Sequence, residues 1–148
     1  MKTAAVLTMM LVLTFAAVGC SGQDADTTTD TEPELVGTTW LWQEFVDMAD
    51  EGSYTVPNPE NYTLTLQEDG TANLQADCNQ VTWTYTMDGG LTFDTVGVST
   101  LAFCGEDSLD QQYLERLGQT ATYVFDDGGL LHLNLAMDSG NMVFAAAE

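Results

Sequence analysis

The sequence predicts a mainly β domain: an antiparallel meander of short strands with one helix laid into it. Three observations carry that prediction. Apolar residues recur at every second position in successive short runs, the period of a strand with one buried face. Asp-Gly and Gly-Gly turn signals separate the runs, and glycine accepts positive φ there at little cost. One stretch, over residues 108–118, shows a helical period instead.

Thr39 to Val46 (Thr-Trp-Leu-Trp-Gln-Glu-Phe-Val) reads as the first strand, and Asp47 to Asn61, with Pro57 and Pro59, as a long loop. Tyr62 to Gln67 alternates, turns at Glu68-Asp69-Gly70 and returns as Thr71 to Ala76. Val81 to Met87 leads through Asp88-Gly89-Gly90 into Leu91 to Val96. A capping box, with Ser108 as the cap and Gln111 three residues on, is expected to open the helix. Leu109, Tyr113, Leu114 and Leu117 then share one face, and Gly118 ends it. Thr120 to Phe125 turns at Asp126-Asp127-Gly128-Gly129 into Leu130 to Ala136, and Asp138-Ser139-Gly140 turns into Asn141 to Ala145. Hairpins joined in chain order make a meander, whose remaining apolar face the helix would cover or plug. Trp40, Trp42 and Trp83 are assigned to the core, the commoner fate of strand aromatics, rather than to a ligand platform.

The first residues read differently. Met1-Lys2-Thr3 is a minimal positive start, and Ala4 to Val18 is a continuous apolar stretch relieved only by Thr8 and Thr14. It is shorter than the roughly 20 residues of a membrane span and suits a signal-peptide core. It ends in Ala17-Val18-Gly19-Cys20, which resembles the bacterial lipobox, with Ala17 where leucine is usual. Cleavage before Cys20 and lipidation of its thiol are therefore expected, giving a signal peptide over residues 1–19. Residues 20–35 are polar and acidic and read as a flexible tether, with the domain over residues 36–148. The structural alternatives are an uncleaved anchor or an ordinary secretory cut beside an incidental cysteine. Ser21, which is not Asp, favours the outer membrane by resemblance to Gram-negative lipoproteins. With Cys20 assigned to lipid, Cys78 and Cys104 remain as an even pair in an oxidising compartment, expected as a disulfide, with two free buried thiols as the alternative.

Charge excludes partners. The 148 residues hold 23 Asp plus Glu against 2 Lys plus Arg, a formal net charge of -21. Removal of Lys2 with the signal peptide would leave Arg116 alone against all 23 acids. Such a chain cannot displace counterions from phosphates, so nucleic acid and electrostatic docking on anionic lipid are excluded as partners. The acids read as a solvated surface suited to strong salt and a halophilic source. Neither Asp24-Ala25-Asp26 nor Asp126-Asp127-Gly128-Gly129 has the spacing of a Ca²⁺ loop, so no metal site is expected.

Catalytic constellations are equally hard to find. His132, the single histidine, alternates with Leu131, Leu133 and Leu135 and so belongs on the solvent face of its strand. No nucleophile motif accompanies it. Zinc-ligand spacing and a glycine-rich phosphate loop are also missing, so neither an enzyme nor a cofactor is expected. Acids are so abundant that any carboxylate pair is uninformative.

At Ala76-Asp77-Cys78-Asn79 and Ser99-Thr100-Leu101-Ala102-Phe103-Cys104 the sequence resembles the META domain family, also called HslJ-like. Trp40-Leu41-Trp42, the alternating Tyr62 to Gly70 segment, Tyr85, and the run from Cys104 to Leu117 followed by Tyr123 fit the same order. Asp77 stands where the family usually has glycine, and so does Thr84. The resemblance implies a small, curved, lipocalin-like antiparallel barrel with one short helix, exported to the cell envelope and without an assigned catalytic activity. The expected function is a lipid-anchored, non-enzymatic envelope module that binds a protein or serves envelope stress. Two alternatives are a small-ligand site inside the barrel, and inhibition of a basic hydrolase such as lysozyme through the Asp47 to Asn61 loop.

Overall fold

The computed structural model describes residues 34–48 and 52–148. The expected signal peptide, Cys20 and most of the tether lie outside the described residues. Nine strands form one antiparallel sheet: β1 (Thr39–Val46), β2 (Tyr54–Thr55), β3 (Tyr62–Leu66), β4 (Thr71–Ala76), β5 (Asn79–Thr86), β6 (Thr92–Ser99), β7 (Thr120–Phe125), β8 (Leu131–Leu135) and β9 (Asn141–Ala146). A helix, α1 (Asp110–Leu117), lies between β6 and β7. The strand order is β6-β5-β4-β3-β1-β9-β8-β7, with β2 beside β1. This is the expected meander rolled into a curled half-barrel, closed where the first strand meets the last. The remaining seam lies between β6 and β7. They approach just before β6 begins, where the Leu91 N–H donates to the Ala121 carbonyl at 3.2 Å, and the Thr95 side chain lies against Gly118. A side chain at Gly90 would strike that carbonyl, so the approach needs glycine.

The turns form where the sequence places them. At Glu68-Asp69-Gly70 the last residue has φ +84°, and at Asp126 to Gly129 it has φ +79°. The Asp126 carboxylate accepts the N–H groups of Gly128 (2.9 Å) and Leu130 (2.8 Å), bonds that hold its pKa below the ordinary value.

Large apolar side chains line the inside of the curl. Trp40, Trp42, Phe45, Phe144, Leu64 and Leu66 are fully buried. In β1 the buried positions run 40, 42, then 45, because the register against β9 shifts by one residue between Trp42 and Glu44. That bulge brings Phe45, not Glu44, into the core. The helix closes one end: Tyr113 lies 5.4 Å from Trp42 and 5.7 Å from Tyr62 by ring centroids and donates its hydroxyl to the Thr63 carbonyl at 2.7 Å. Burial raises its pKa well above 10.0.

Three expectations change. The helix begins at Asp110, two residues after the expected cap, and the Ser108–Gln111 box does not form. Instead Ser108 Oγ accepts the Asp110 N–H at 3.2 Å, and the Asp110 carboxylate accepts the Gln111 N–H at 2.8 Å. β6 runs three residues beyond its expected end at Val96. The described part of the long loop contains β2 and a 3₁₀ turn, Pro59–Asn61, and within it Val56 is buried, its N–H donating to the Gln43 carbonyl at 2.8 Å.

Candidate functional site

The cysteine pair organises the surface that stands out chemically. Cys78 and Cys104 form a disulfide with their Cα atoms 5.5 Å apart, so the free-thiol alternative is overturned. Cys78 lies in the two-residue turn between β4 and β5. The turn needs Asp77 at φ +54°, a left-handed conformation that accounts for the family's glycine at this position. Aspartate is tolerated there because its carboxylate accepts the Asn61 side-chain amide (3.3 Å) and the Tyr62 hydroxyl (3.5 Å).

Asn79, buried and next to the disulfide, does what two further residues of strand would do. Its Oδ1 accepts the Ala102 N–H at 2.8 Å and the Thr100 hydroxyl at 3.0 Å, while its Nδ2 donates to the Ala102 carbonyl at 3.0 Å. Thr100 also donates its N–H to the Gln80 carbonyl at 3.0 Å. The chain after β6 is thereby held extended, with Thr100 and Ala102 bonded toward β5. By the alternation of an antiparallel ladder, Ser99 and Leu101 turn their own N–H and C=O toward the open edge. No strand pairs with that edge among the described residues.

The edge is apolar. Val96, Val98, Leu101 and Phe103 are 86%, 79%, 94% and 85% exposed. Gly97 explains how the strand passes the body of the sheet: the register shifts between Thr82 and Thr84, and a side chain at Gly97 would enter the Thr82 carbonyl and the Trp83 ring. Beside Phe103 lies a depression of about 300 Å³ bordered by Cys104, Glu106, Asp110 and Gln111. No Lys, Arg or His occurs between Asp88 and Glu115, so this face is purely acidic.

The other candidate residues are structural. His132 sits on the outer face, as expected, between Asn141 Oδ1 (3.1 Å) and Asp126 Oδ2 (3.3 Å). Arg116 folds over Phe45, its guanidinium carbon 3.4 Å from the ring centroid, and serves packing. Trp40 and Trp42 are core as assigned, and Trp83 packs against Phe93 at 6.2 Å. Among the described residues no three His, Cys, Asp or Glu side chains gather in a metal-ligand group, and no helix is long and apolar enough to cross a membrane. Sequence reasoning missed the exposed strip, because alternating Val96 and Val98 look like any half-buried strand. The eight-residue, uncharged run Thr95 to Ala102 was the available signal.

Fold and site together define a small curled β half-barrel whose exposed apolar β6 edge is stapled by a disulfide. The META domain family matches residues 33–148, and the chain belongs to that family. No curated protein matches the sequence. Two solved structures share the fold. A protein from Burkholderia xenovorans is 22% identical with a TM-score of 0.59, over 76% of this chain and 83% of its own. A DUF4847 family protein from Bacteroides vulgatus is 15% identical with a TM-score of 0.53, over 75% of this chain and 93% of its own. None of these matches indicates a catalytic family.

Proposed function

We propose that this protein is a non-enzymatic interaction module of the cell envelope, anchored by lipid on Cys20 and presenting its META domain on a flexible tether; in a Gram-negative cell the anchor would sit in the outer membrane. The exposed apolar edge supports this reading most. Soluble domains rarely leave such a strip uncovered unless something docks on it. The interior behind it is occupied by the fully buried Trp40, Trp42 and Phe144, which weighs against a lipocalin-type ligand space there. In the described part of the Asp47 to Asn61 loop, Tyr54 and Thr55 pair with β1 and Val56 is buried, which weighs against the hydrolase-inhibitor alternative.

Two measurements in the producing cell test the proposal. Labelled palmitate should enter the chain and fail to enter Cys20→Ser. Photo-crosslinkers placed one at a time at exposed Met87, Phe103, Val124 and Met137 should give a discrete protein adduct from at least one position. A chain with no label and no adduct from any position would refute the reading.

A further inference from the structure

We propose that the open edge of β6 and the tied segment after it bind an extended cationic segment of another protein, one that alternates apolar residues with Lys or Arg. The inference rests on the interaction-module reading and names the chemistry of its partner. An edge strand offers a row of main-chain groups to any extended chain laid beside it, and soluble proteins blunt such edges with lysine, proline or a covering element. From Thr92 to Cys104 there is neither Lys nor Pro; the bulge at Gly97 and the Asp94 carboxylate, which takes the Val96 N–H at 3.0 Å, blunt only the first part of β6, so the main chain on offer is that of Ser99 and Leu101. The side chains at 96, 98, 101 and 103 are instead apolar and exposed. The disulfide and the Asn79 hydrogen bonds already hold residues 100–104 in place, so little ordering remains for binding to impose.

Charge decides the occupant. Asp94 lies within the strip, and Glu106 and Asp110 border the depression beside Phe103. Arg116, the one described Lys or Arg, is turned inward over Phe45. A second copy of the chain would set these same acids edge to edge, and a strand without charge would leave them unanswered. A strand with alternating cations satisfies both needs: its apolar side chains cover Val98, Leu101 and Phe103 while its ammonium or guanidinium groups meet Glu106 and Asp110.

The test is an NMR titration of the disulfide-intact, isotope-labelled Cys20→Ser chain at physiological salt. The probe is a short peptide alternating Lys and Val, with a Lys–Ser repeat of equal charge and a Glu–Val repeat as controls. Shifts should cluster over residues 94–104, and both controls should bind at least about tenfold more weakly, a difference of one good polar or apolar contact. Ser99→Pro removes an N–H that faces the open side and should weaken binding roughly tenfold. Phe103→Ser, on an exposed side chain that folding does not need, should weaken it roughly 30-fold, the scale of a central anchor residue. Val124→Ser, exposed on β7, should change nothing.

Shifts centred elsewhere, equal binding by the Lys–Ser peptide, indifference to Phe103→Ser, or a dimer through β6 that the peptide cannot displace would each overturn the proposal. Its failure is separable from failure of the module reading. A lipidated chain that crosslinks from Val124 or Met137 but never from Phe103 keeps the module and loses this site. A chain with neither lipid nor adduct loses both.

Discussion

Replacing Asn79 by alanine removes the side chain that continues the β5–β6 ladder past Ser99. Three bonds to the segment after β6 are lost, the Ala102 N–H to Oδ1 at 2.8 Å, the Thr100 hydroxyl to Oδ1 at 3.0 Å and Nδ2 to the Ala102 carbonyl at 3.0 Å, together with the longer contacts of Nδ2 to Cys104 Sγ at 3.3 Å and Asp110 Oδ2 at 3.5 Å. A typical intramolecular hydrogen bond contributes about 1 kcal/mol net, and water can rehydrate the exposed groups of Thr100 and Ala102, so the expected loss is about 2 kcal/mol. For a domain of this size that lowers Tm by about 8 °C. Asn79→Asp should do no better at neutral pH. It keeps one acceptor, loses the donor, and sets a carboxylate where Nδ2 now lies 3.5 Å from Asp110 Oδ2. The disulfide restrains the same segment. Its cysteines are 26 residues apart, and closing a loop of that length contributes about 3.5 kcal/mol on the chain-entropy account. Without the disulfide the segment is already loose, so in a Cys78→Ala, Cys104→Ala background the Asn79→Ala cost should shrink to under about 1 kcal/mol. Guanidinium unfolding of the four proteins measures the cycle. An Asn79→Ala cost below about 0.5 kcal/mol in the oxidised protein, or equal costs with and without the disulfide, would refute the clamp.

Further outcomes follow from the core and the charge. Tyr113→Phe should cost about 1 kcal/mol by removing the hydroxyl's bond to the Thr63 carbonyl. Because the native phenol resists ionisation, wild-type stability should also fall as pH rises through 10.0, where the unfolded phenol releases its proton, and Tyr113→Phe should lose part of that fall. The Asp126 pKa is depressed, chiefly by the Leu130 N–H and then by His132 and Gly128, so its stabilisation is present above the unfolded carboxylate range and lost as pH falls through the lower folded value. The Tm gap between wild type and Asp126→Ala should therefore be open at pH 7 and close in strong acid; a gap that persists there contradicts the assignment. With a formal net charge of -21, thermal stability should climb from low to molar NaCl as repulsion is screened, and a flat curve would show that the acids do not repel measurably.

Much of this architecture is legible in sequence because it rests on local rules. The strands at 39–46, 71–76 and 120–125 match their expected bounds, since alternation and glycine turns delimit them without tertiary help. The misses have tertiary causes. Gly97 reads as a strand end, yet it is the residue that lets β6 slide past Trp83 and continue. Ser108 and Gln111 satisfy a capping pattern, but the disulfide-tied chain approaching the helix brings Asp110 to its first turn instead. Phe45 departs from strict alternation because a bulge opposite β9, invisible in β1 alone, shifts its phase. The cysteine pair was predictable by counting. The strip it holds was not, because exposure of Val96, Val98, Leu101 and Phe103 depends on which strand lacks a neighbour, and only the closure of β1 on β9 decides that.

Amide hydrogen exchange over residues 99–103 of the oxidised protein bears most directly on the extended, one-sided edge at the centre of this account. Thr100 and Ala102, bonded to Gln80 and Asn79, should exchange slowly, while Ser99 and Leu101 between them exchange fast, and reduction of the disulfide should erase the alternation. Uniformly fast exchange in the oxidised chain, or slow exchange at Ser99 and Leu101 as well, would contradict it.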